Sequence, residues 1–217
     1  KCNLGIAYDG DGDRCLAVDE NGEEIDGDKL IAIISNYLKE KGKLANNAIV
    51  ATVMSNLGLK KYAENNGITI KQTKVGDRYV LEEMLKNGYN VGGEQSGHVI
   101  LLDYNPTGDG ILTSLMLIKV MLEKKKSASE LCKIIKMYPQ VLVNAKVSAE
   151  KKKDYENDEE IQKAIKELEE DFSGNGRVLI RPSGTEPVIR VMLEGEDQSY
   201  LQTRAENLAK LIEKKLK

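Results

Sequence analysis

Ala48-Ile49-Val50-Ala51-Thr52-Val53, followed by Leu57 to Asn65, Ile68-Thr69-Ile70 and Tyr79 to Lys86, decides the fold. The first run is short, apolar and β-branched, as in a strand buried on both faces. The second carries a helical apolar pattern and stops at Asn66-Gly67, where the chain can turn left-handed. The third starts another strand, which runs toward Lys74-Val75-Gly76-Asp77-Arg78, and the fourth is a helix ended by Asn87-Gly88. Strand, helix, strand, helix in alternation argues an α/β layer architecture.

Upstream, Asp28 is the expected cap of a helix through Lys41, with Leu30, Ile31, Ile34, Tyr37 and Leu38 on one face and Gly42 closing it. Downstream, Asn90 to Gly93 leads into the loop Glu94-Gln95-Ser96-Gly97-His98 and a strand over Val99 to Leu102. Asp109 caps a helix over Ile111 to Lys124, and Ser127-Ala128-Ser129-Glu130 reads as a capping box. Pro139 marks a boundary. Beyond it come a strand over Val141 to Val147, a charged helix from about Asp158 to Asp171, two strands and a helix over Ser199 to Lys215. That order predicts a small α+β domain, and the charge-rich stretch Glu150 to Glu170 reads as a solvated helix face.

The most unusual segment is Asp9-Gly10-Asp11-Gly12-Asp13-Arg14. Three carboxylates in five positions repel one another unless a cation neutralises them, and glycines let the backbone curl so that they converge. Oxygen donors favour Mg²⁺, Ca²⁺ or Mn²⁺ over zinc. A solvated acidic turn is the plain alternative. An EF-hand is the sharper one, since Glu20 stands at its twelfth place, but Arg14 occupies the glycine position and the flanks, Asn3 to Tyr8 and Cys15 to Val18, read as strands. A metal loop between two strands is therefore expected, with Asp19-Glu20-Asn21-Gly22 as the next turn.

Two further loops carry chemistry. Arg181-Pro182-Ser183-Gly184-Thr185-Glu186-Pro187-Val188-Ile189-Arg190 combines guanidinium forks, hydroxyls and a glycine between apolar strands, a donor set suited to a phosphate dianion. An ordinary Pro-Ser-Gly turn is the alternative. In Gly93 to His98, Glu94 and Ser96 offer groups that bind vicinal hydroxyls, and His98 is the chain's one histidine, a residue more often structural than catalytic when alone. Lys74 and Arg78 flank a glycine turn at a strand end, where ligands gather in α/β folds, or are plain surface charges. A phosphorylated sugar is the ligand common to all three loops.

The chain has 217 residues, 31% charged and 41% apolar, with net charge −3 from 32 basic and 35 acidic residues. These values fit one or two globular domains and give no pull toward nucleic acid or an anionic membrane. The three scattered cysteines suggest reduced thiols and a cytoplasmic setting. No run reaches a membrane-spanning length. The chain opens on Lys1 and enters a metal loop almost at once, so it is expected to be part of something longer.

Across essentially its whole length the sequence resembles the α-D-phosphohexomutase family. The resemblance rests on D-G-D-G-D-R at Asp9 to Arg14, G-E-Q-S-G-H at Gly93 to His98 and R-P-S-G-T-E-P-x-I-R at Arg181 to Arg190. T-V-M-S-N-L-G-L at Thr52 to Leu59, V-G-D-R-Y-V at Val75 to Val80 and T-G-D-G at Thr107 to Gly110 add support. Gln95 and Met54-Ser55-Asn56 look like the glucosamine branch rather than the phosphomannose or phosphoglucose branches. The resemblance implies a mixed-sheet α/β domain followed by a smaller α+β C-terminal domain. Residues 1–24 would be the tail of a second domain, 25–136 a third, sugar-binding domain, and 137–217 a fourth, phosphate-binding domain.

It further implies an isomerase that interconverts glucosamine 6-phosphate and glucosamine 1-phosphate through a phosphoserine and a bisphosphate. The serine belongs to N-terminal domains missing here, so the piece alone would be inactive. Asp9, Asp11 and Asp13 would hold Mg²⁺; Arg14, His98 and Lys74 would be catalytic; Arg78, Glu94 and Ser96 would meet the sugar; Arg181, Ser183, Gly184, Thr185 and Arg190 would clamp phosphate. The alternatives are a phosphomannose or phosphoglucose mutase of the same family, or, from another class, a non-catalytic metal- and phosphosugar-binding module.

Overall fold

A computed structural model describes residues 2–217. The described residues form two compact units, one up to residue 137 and one over residues 138–217, considered separately below.

The first unit contains two sheets. Strands β1 (Leu4–Tyr8), β2 (Cys15–Asp19) and β3 (Glu24–Ile25) form an antiparallel sheet in which Tyr8 faces Cys15, so the aspartate loop closes the β1–β2 hairpin. The second sheet has the order β5-β4-β6-β7, built from β4 (Ala48–Thr52), β5 (Thr69–Thr73), β6 (Val91–Gly93) and β7 (Val99–Leu101). β4 runs parallel to β5 and β6, while β7 is antiparallel to β6, which makes the sheet mixed.

Every residue of β4 is buried. Ile49 and Ala51 join the core shared with helix α1 (Gly27–Glu40), whereas Ala48 and Val50 pack with Val80 and Met84 of helix α3 (Asp77–Asn87). A strand covered on both faces gains nothing from alternation, hence its continuous apolar run. Helices α2 (Leu57–Asn65), α4 (Gly110–Lys124) and α5 (Ala128–Cys132) complete the unit. Tyr8 of β1 bonds Ser114 of α4 through their hydroxyls at 2.7 Å, which ties the small sheet to the larger layer.

One expected cap moves. Helix α1 is capped by Asp26, whose Oδ1 accepts from the Lys29 amide at 3.0 Å. Asp28 lies inside the first turn, fully buried, and its Oδ2 accepts from the Asn56 amide at 2.6 Å. Its carboxylate is committed to the start of α2, so it does not serve its own helix. The other predicted caps are present: Asp109 caps α4, and Ser127 with Glu130 forms the capping box of α5. Asn56, not singled out in the sequence, caps α2. Helix α3 starts two residues earlier than the sequence suggests, at Asp77.

The second unit is an antiparallel sheet of order β8-β10-β9, formed by β8 (Gln140–Lys146), β9 (Arg177–Pro182) and β10 (Val188–Glu194). Helices α6 (Glu159–Phe172) and α7 (Gln198–Leu216) supply Ile161, Leu168, Leu201, Leu208 and Ile212 to a core with Ile189, Val191 and Leu193 of β10. The side-chain period of two then points Arg190 away from that core.

No described helix is long and apolar enough to cross a membrane. The three cysteines are free thiols, and burial pushes those of Cys15 and Cys132 up to about 11.

Candidate functional site

The aspartate loop, an irregular connection between β1 and β2, brings its carboxylates together. One carboxylate oxygen each from Asp9, Asp11 and Asp13 lie within 4.8 Å of one another. Of the two loop glycines only Gly12 has a left-handed backbone, at φ 75. Arg14 folds back on the cluster: its amide donates to Asp9 Oδ1 at 3.2 Å and its Nε stands 3.6 Å from Asp9 Oδ2. Desolvation opposes ionisation of Asp9, but the Arg14 amide, the neighbouring Asp13 and the Arg14 guanidinium outweigh it and hold the carboxyl below its ordinary range.

Asp13 Oδ2 receives His98 Nδ1 at 2.8 Å, while Asp13 Oδ1 is closed off from solvent and has no hydrogen-bond partner among the described residues. A buried carboxylate oxygen without a donor is costly. Three convergent carboxylates of which one is orphaned suit a hard divalent cation with oxygen ligands, so the donor set fits magnesium.

The Glu94-to-His98 loop is seated against this hairpin by backbone contacts. Cys15 N–H donates to Gly97 O at 3.1 Å, and Gly27 N–H donates to Gln95 O at 2.9 Å. Gly97 has φ 92, and a Cβ there would lie 2.3 Å from Cys15 O, so the loop admits only glycine. The Thr107-to-Gly110 stretch closes the other side. Gly110 N–H donates to Gly12 O at 3.0 Å, and a Cβ on Gly108 would lie 2.4 Å from the His98 ring.

Around this junction opens a cavity of about 520 Å³, lined by Arg14, Glu94, Gln95 and Ser96 from the predicted loops. Asp26, Thr52, Met54 and Val75 also line it. The parallel strands β4, β5 and β6 end at Thr52, Thr73 and Gly93, so the cavity lies beyond their carboxyl ends, where open α/β sheets place ligands. Glu94 Oε1 accepts from Gly76 N–H at 3.1 Å; its second oxygen has no partner among the described residues. The Gln95 amide reaches Asp26 Oδ2 at 3.4 Å.

Not every predicted residue joins this group. His98 is 3% exposed and faces Asp13 rather than the cavity. Lys74 is exposed and outside the lining set. Arg78, with its side chain 81% exposed, pairs with Glu82 one helical turn on at 2.7 Å. The lining role of Thr52 and Met54 could have been found from the strand-end rule; Asp26, which the sequence reading does not single out, carries no such signal beside the cap expected at Asp28.

In the second unit, Arg181 and Arg190 are direct cross-strand partners on β9 and β10. Two like charges opposite each other repel. Burial, and then the charge of Arg190, lower the pKa of Arg181. Glu186 offsets part of this by meeting Arg190 Nη2 at 3.3 Å. Ser183 is buried, its Oγ accepting from the Glu186 amide at 3.2 Å. Gly184 and Thr185 are exposed at the loop tip. Lys152, read from sequence as a solvated charge, donates through Nζ to Ser183 O at 2.8 Å and Glu186 O at 3.2 Å and so pins the loop from beneath.

Comparison with known proteins places these loops in a family. Residues 26–138 match the phosphoglucomutase/phosphomannomutase alpha/beta/alpha domain III, and residues 142–211 match the phosphoglucomutase/phosphomannomutase C-terminal domain. The chain belongs to the phosphoglucomutase/phosphomannomutase family. It is 59% identical over 216 residues to a phosphoglucosamine mutase of Ruminiclostridium cellulolyticum, covering 100% of this chain and 48% of that protein. Identity is also 59%, over 215 residues, to a phosphoglucosamine mutase of Clostridium beijerinckii, covering 99% of this chain and 48% of that one. The chain thus spans about half the length of the curated relatives it matches.

Among solved structures, it superposes on an N-acetylglucosamine-phosphate mutase in a product complex with TM-score 0.78 at 23% identity, covering 98% of this chain and 49% of that one. The Aspergillus fumigatus N-acetylphosphoglucosamine mutase, solved with GlcNAc-6P and magnesium, gives TM-score 0.77 at 21% identity, covering 98% and 49%. At that identity the likeness supports the fold.

Proposed function

We propose that this chain is the C-terminal half of a phosphoglucosamine mutase, which interconverts glucosamine 6-phosphate and glucosamine 1-phosphate through a phosphoserine supplied by the N-terminal half. The observation that carries the reading is identity of 59% across the whole chain to proteins of that name, with the aspartate loop, the sugar loop and the arginine loop all present. On this reading residues 1–24 are the tail of a second domain, residues 25–136 a third and residues 137–217 a fourth.

Asp9, Asp11 and Asp13 would hold magnesium, which supplies charge neutralisation for the phosphoryl group in transfer. Arg14 adds a fixed cation beside it. The free oxygen of Glu94 and the hydroxyl of Ser96 accept and donate to sugar hydroxyls, and the Gly76 amide keeps Glu94 in place for that task. Lys74 and Arg78, both exposed, contribute cations that steer an anionic ester. Arg181 and Arg190 bind a phosphate dianion, with Ser183, Gly184 and Thr185 at the loop tip. Such a remote anion grip orients the reacting end of a substrate.

The test separates the chain's share from the whole. The purified 217-residue chain, free of full-length enzyme, is expected to show no interconversion of the two glucosamine phosphates, and to gain it when mixed with the N-terminal half of a relative carrying the serine. Turnover by the chain alone, or complementation that works for mannose phosphate and not for glucosamine phosphate, would refute the proposal.

A further inference from the structure

Resting on the reading of the cavity as the seat of an amino-sugar phosphate, we propose that Asp26, with Gln95 beside it, selects a sugar that carries an ammonium group over one that carries a hydroxyl in its place. Asp26 is at once a helix cap and part of the cavity wall. Its Oδ1 is spent on the Lys29 amide at 3.0 Å. Its Oδ2 meets only the Gln95 side-chain amide among the described residues, and at 3.4 Å, well beyond the ~2.9 Å usual for such a bond. A carboxylate oxygen short of a good donor thus stands in the wall of the cavity.

The backbone enforces that placement. Gly27 N–H donates to Gln95 O at 2.9 Å, and a Cβ on Gly27 would lie 2.0 Å from Glu94 O and 2.8 Å from Gly97 N. Glycine alone lets the head of α1 come this close to the sugar loop, and so puts Asp26 and Gln95 on one wall. With its Nε2 turned to Asp26, Gln95 has its Oε1 left as an acceptor, and Glu24 lines the same cavity. An alkylammonium has three N–H donors and no lone pair, whereas a hydroxyl has one donor and two lone pairs. A wall of acceptors suits the first. Charge points the same way. Glu24, Asp26 and Glu94 face one cation, Arg14, whose Nε already stands 3.6 Å from Asp9, and the strand-end side chain of Met54 is uncharged. Hydrogen bonds between ionised partners are about twice as strong as neutral ones.

The experiment is calorimetric titration of the 217-residue chain with glucosamine 6-phosphate and with glucose 6-phosphate. It is run at about pH 6, where an amine of the α-amino kind, with a pKa of roughly 7.7–8.0, is charged. The parent is expected to bind the amino ester about tenfold or more tightly than the hydroxy ester. Asn and Ser cap helices about as well as Asp does. The D26N and D26S variants therefore keep the head of α1, and each is expected to bring the two esters within about twofold of one another. E94Q, which alters an acceptor for hydroxyls common to both sugars, should weaken both esters and keep their ratio. A parent that binds the two esters equally, or D26N and D26S variants that retain the preference, overturns the inference and leaves the cavity a sugar-phosphate site. Loss of the preference in E94Q alone would assign the ammonium to Glu94 and overturn it too. A parent that binds neither ester overturns the phosphosugar reading itself.

Discussion

At Gly97 the backbone sits at φ 92 and a Cβ would collide with Cys15 O, whereas at Gly184 φ is ordinary and a Cβ would meet nothing within 4 Å. Gly97→Ala is therefore expected to destabilise the first unit by about 2 kcal/mol or more, from left-handed strain plus overpacking. Gly184→Ala should change stability by no more than about 0.5 kcal/mol. Urea denaturation of both variants checks the contrast; equal losses would contradict it. The conformational freedom the sequence suggests at Gly184 is thus not used by the fold, and the position is open for a ligand to approach. Both loops were legible as loops from their residue types. What each glycine does was not, because it depends on atoms 82 positions away for Gly97 and on none for Gly184.

At the scale of elements, caps carry two predictions. Asp109 Oδ1 accepts from the Leu112 amide at 2.9 Å at the head of α4, and Asp109→Ala should cost about 1 kcal/mol, read from the urea midpoint. Glu20, in the turn after β2, accepts from the Ser129 hydroxyl at 2.5 Å and its amide at 3.3 Å, tying that turn to the first turn of α5. Hydrogen bonds from the Ser127 and Ser129 hydroxyls hold its carboxyl down to about 2, against 4.5 for a free glutamate. A depressed pKa means that the folded state binds the proton less readily than the unfolded state. Its stabilisation is complete above about pH 4.5 and fades as pH falls toward 2. The gap in urea midpoint between the parent and Glu20→Gln should accordingly be constant from pH 7 to 5 and close near pH 2; a gap insensitive to acid would remove the assignment. Local caps such as Asp109 and Ser127 could be read from sequence because each partner lies within one turn. Asp28 could not, since the Asn56 amide that claims it is 28 residues away. Lys152 escaped notice for the same reason, its carbonyl partners lying 31 and 34 residues on.

Each of the two units has a core of its own, and that of the second draws only on residues 138–217. A protein consisting of residues 138–217 should therefore fold by itself, with a cooperative melt and dispersed amide resonances; a collapsed, undispersed spectrum would show otherwise. Within it, Leu193 is fully buried and Leu193→Ala should cost about 2–5 kcal/mol, measured by urea denaturation.

The arginines facing each other across β9 and β10 have a thermodynamic corollary. Repulsion between Arg181 and Arg190 raises the free energy of the folded C-terminal unit, and a dianion held by them, as proposed above, would lower it again. Heat resistance should then act as a gauge of occupancy. Inorganic phosphate at ten times its dissociation constant would add about 1.4 kcal/mol, and chloride at equal ionic strength far less. Arg181→Met should blunt that response while making the anion-free unit no weaker, so that tolerance of heat and capture of phosphate trade against each other at a single rung of the sheet.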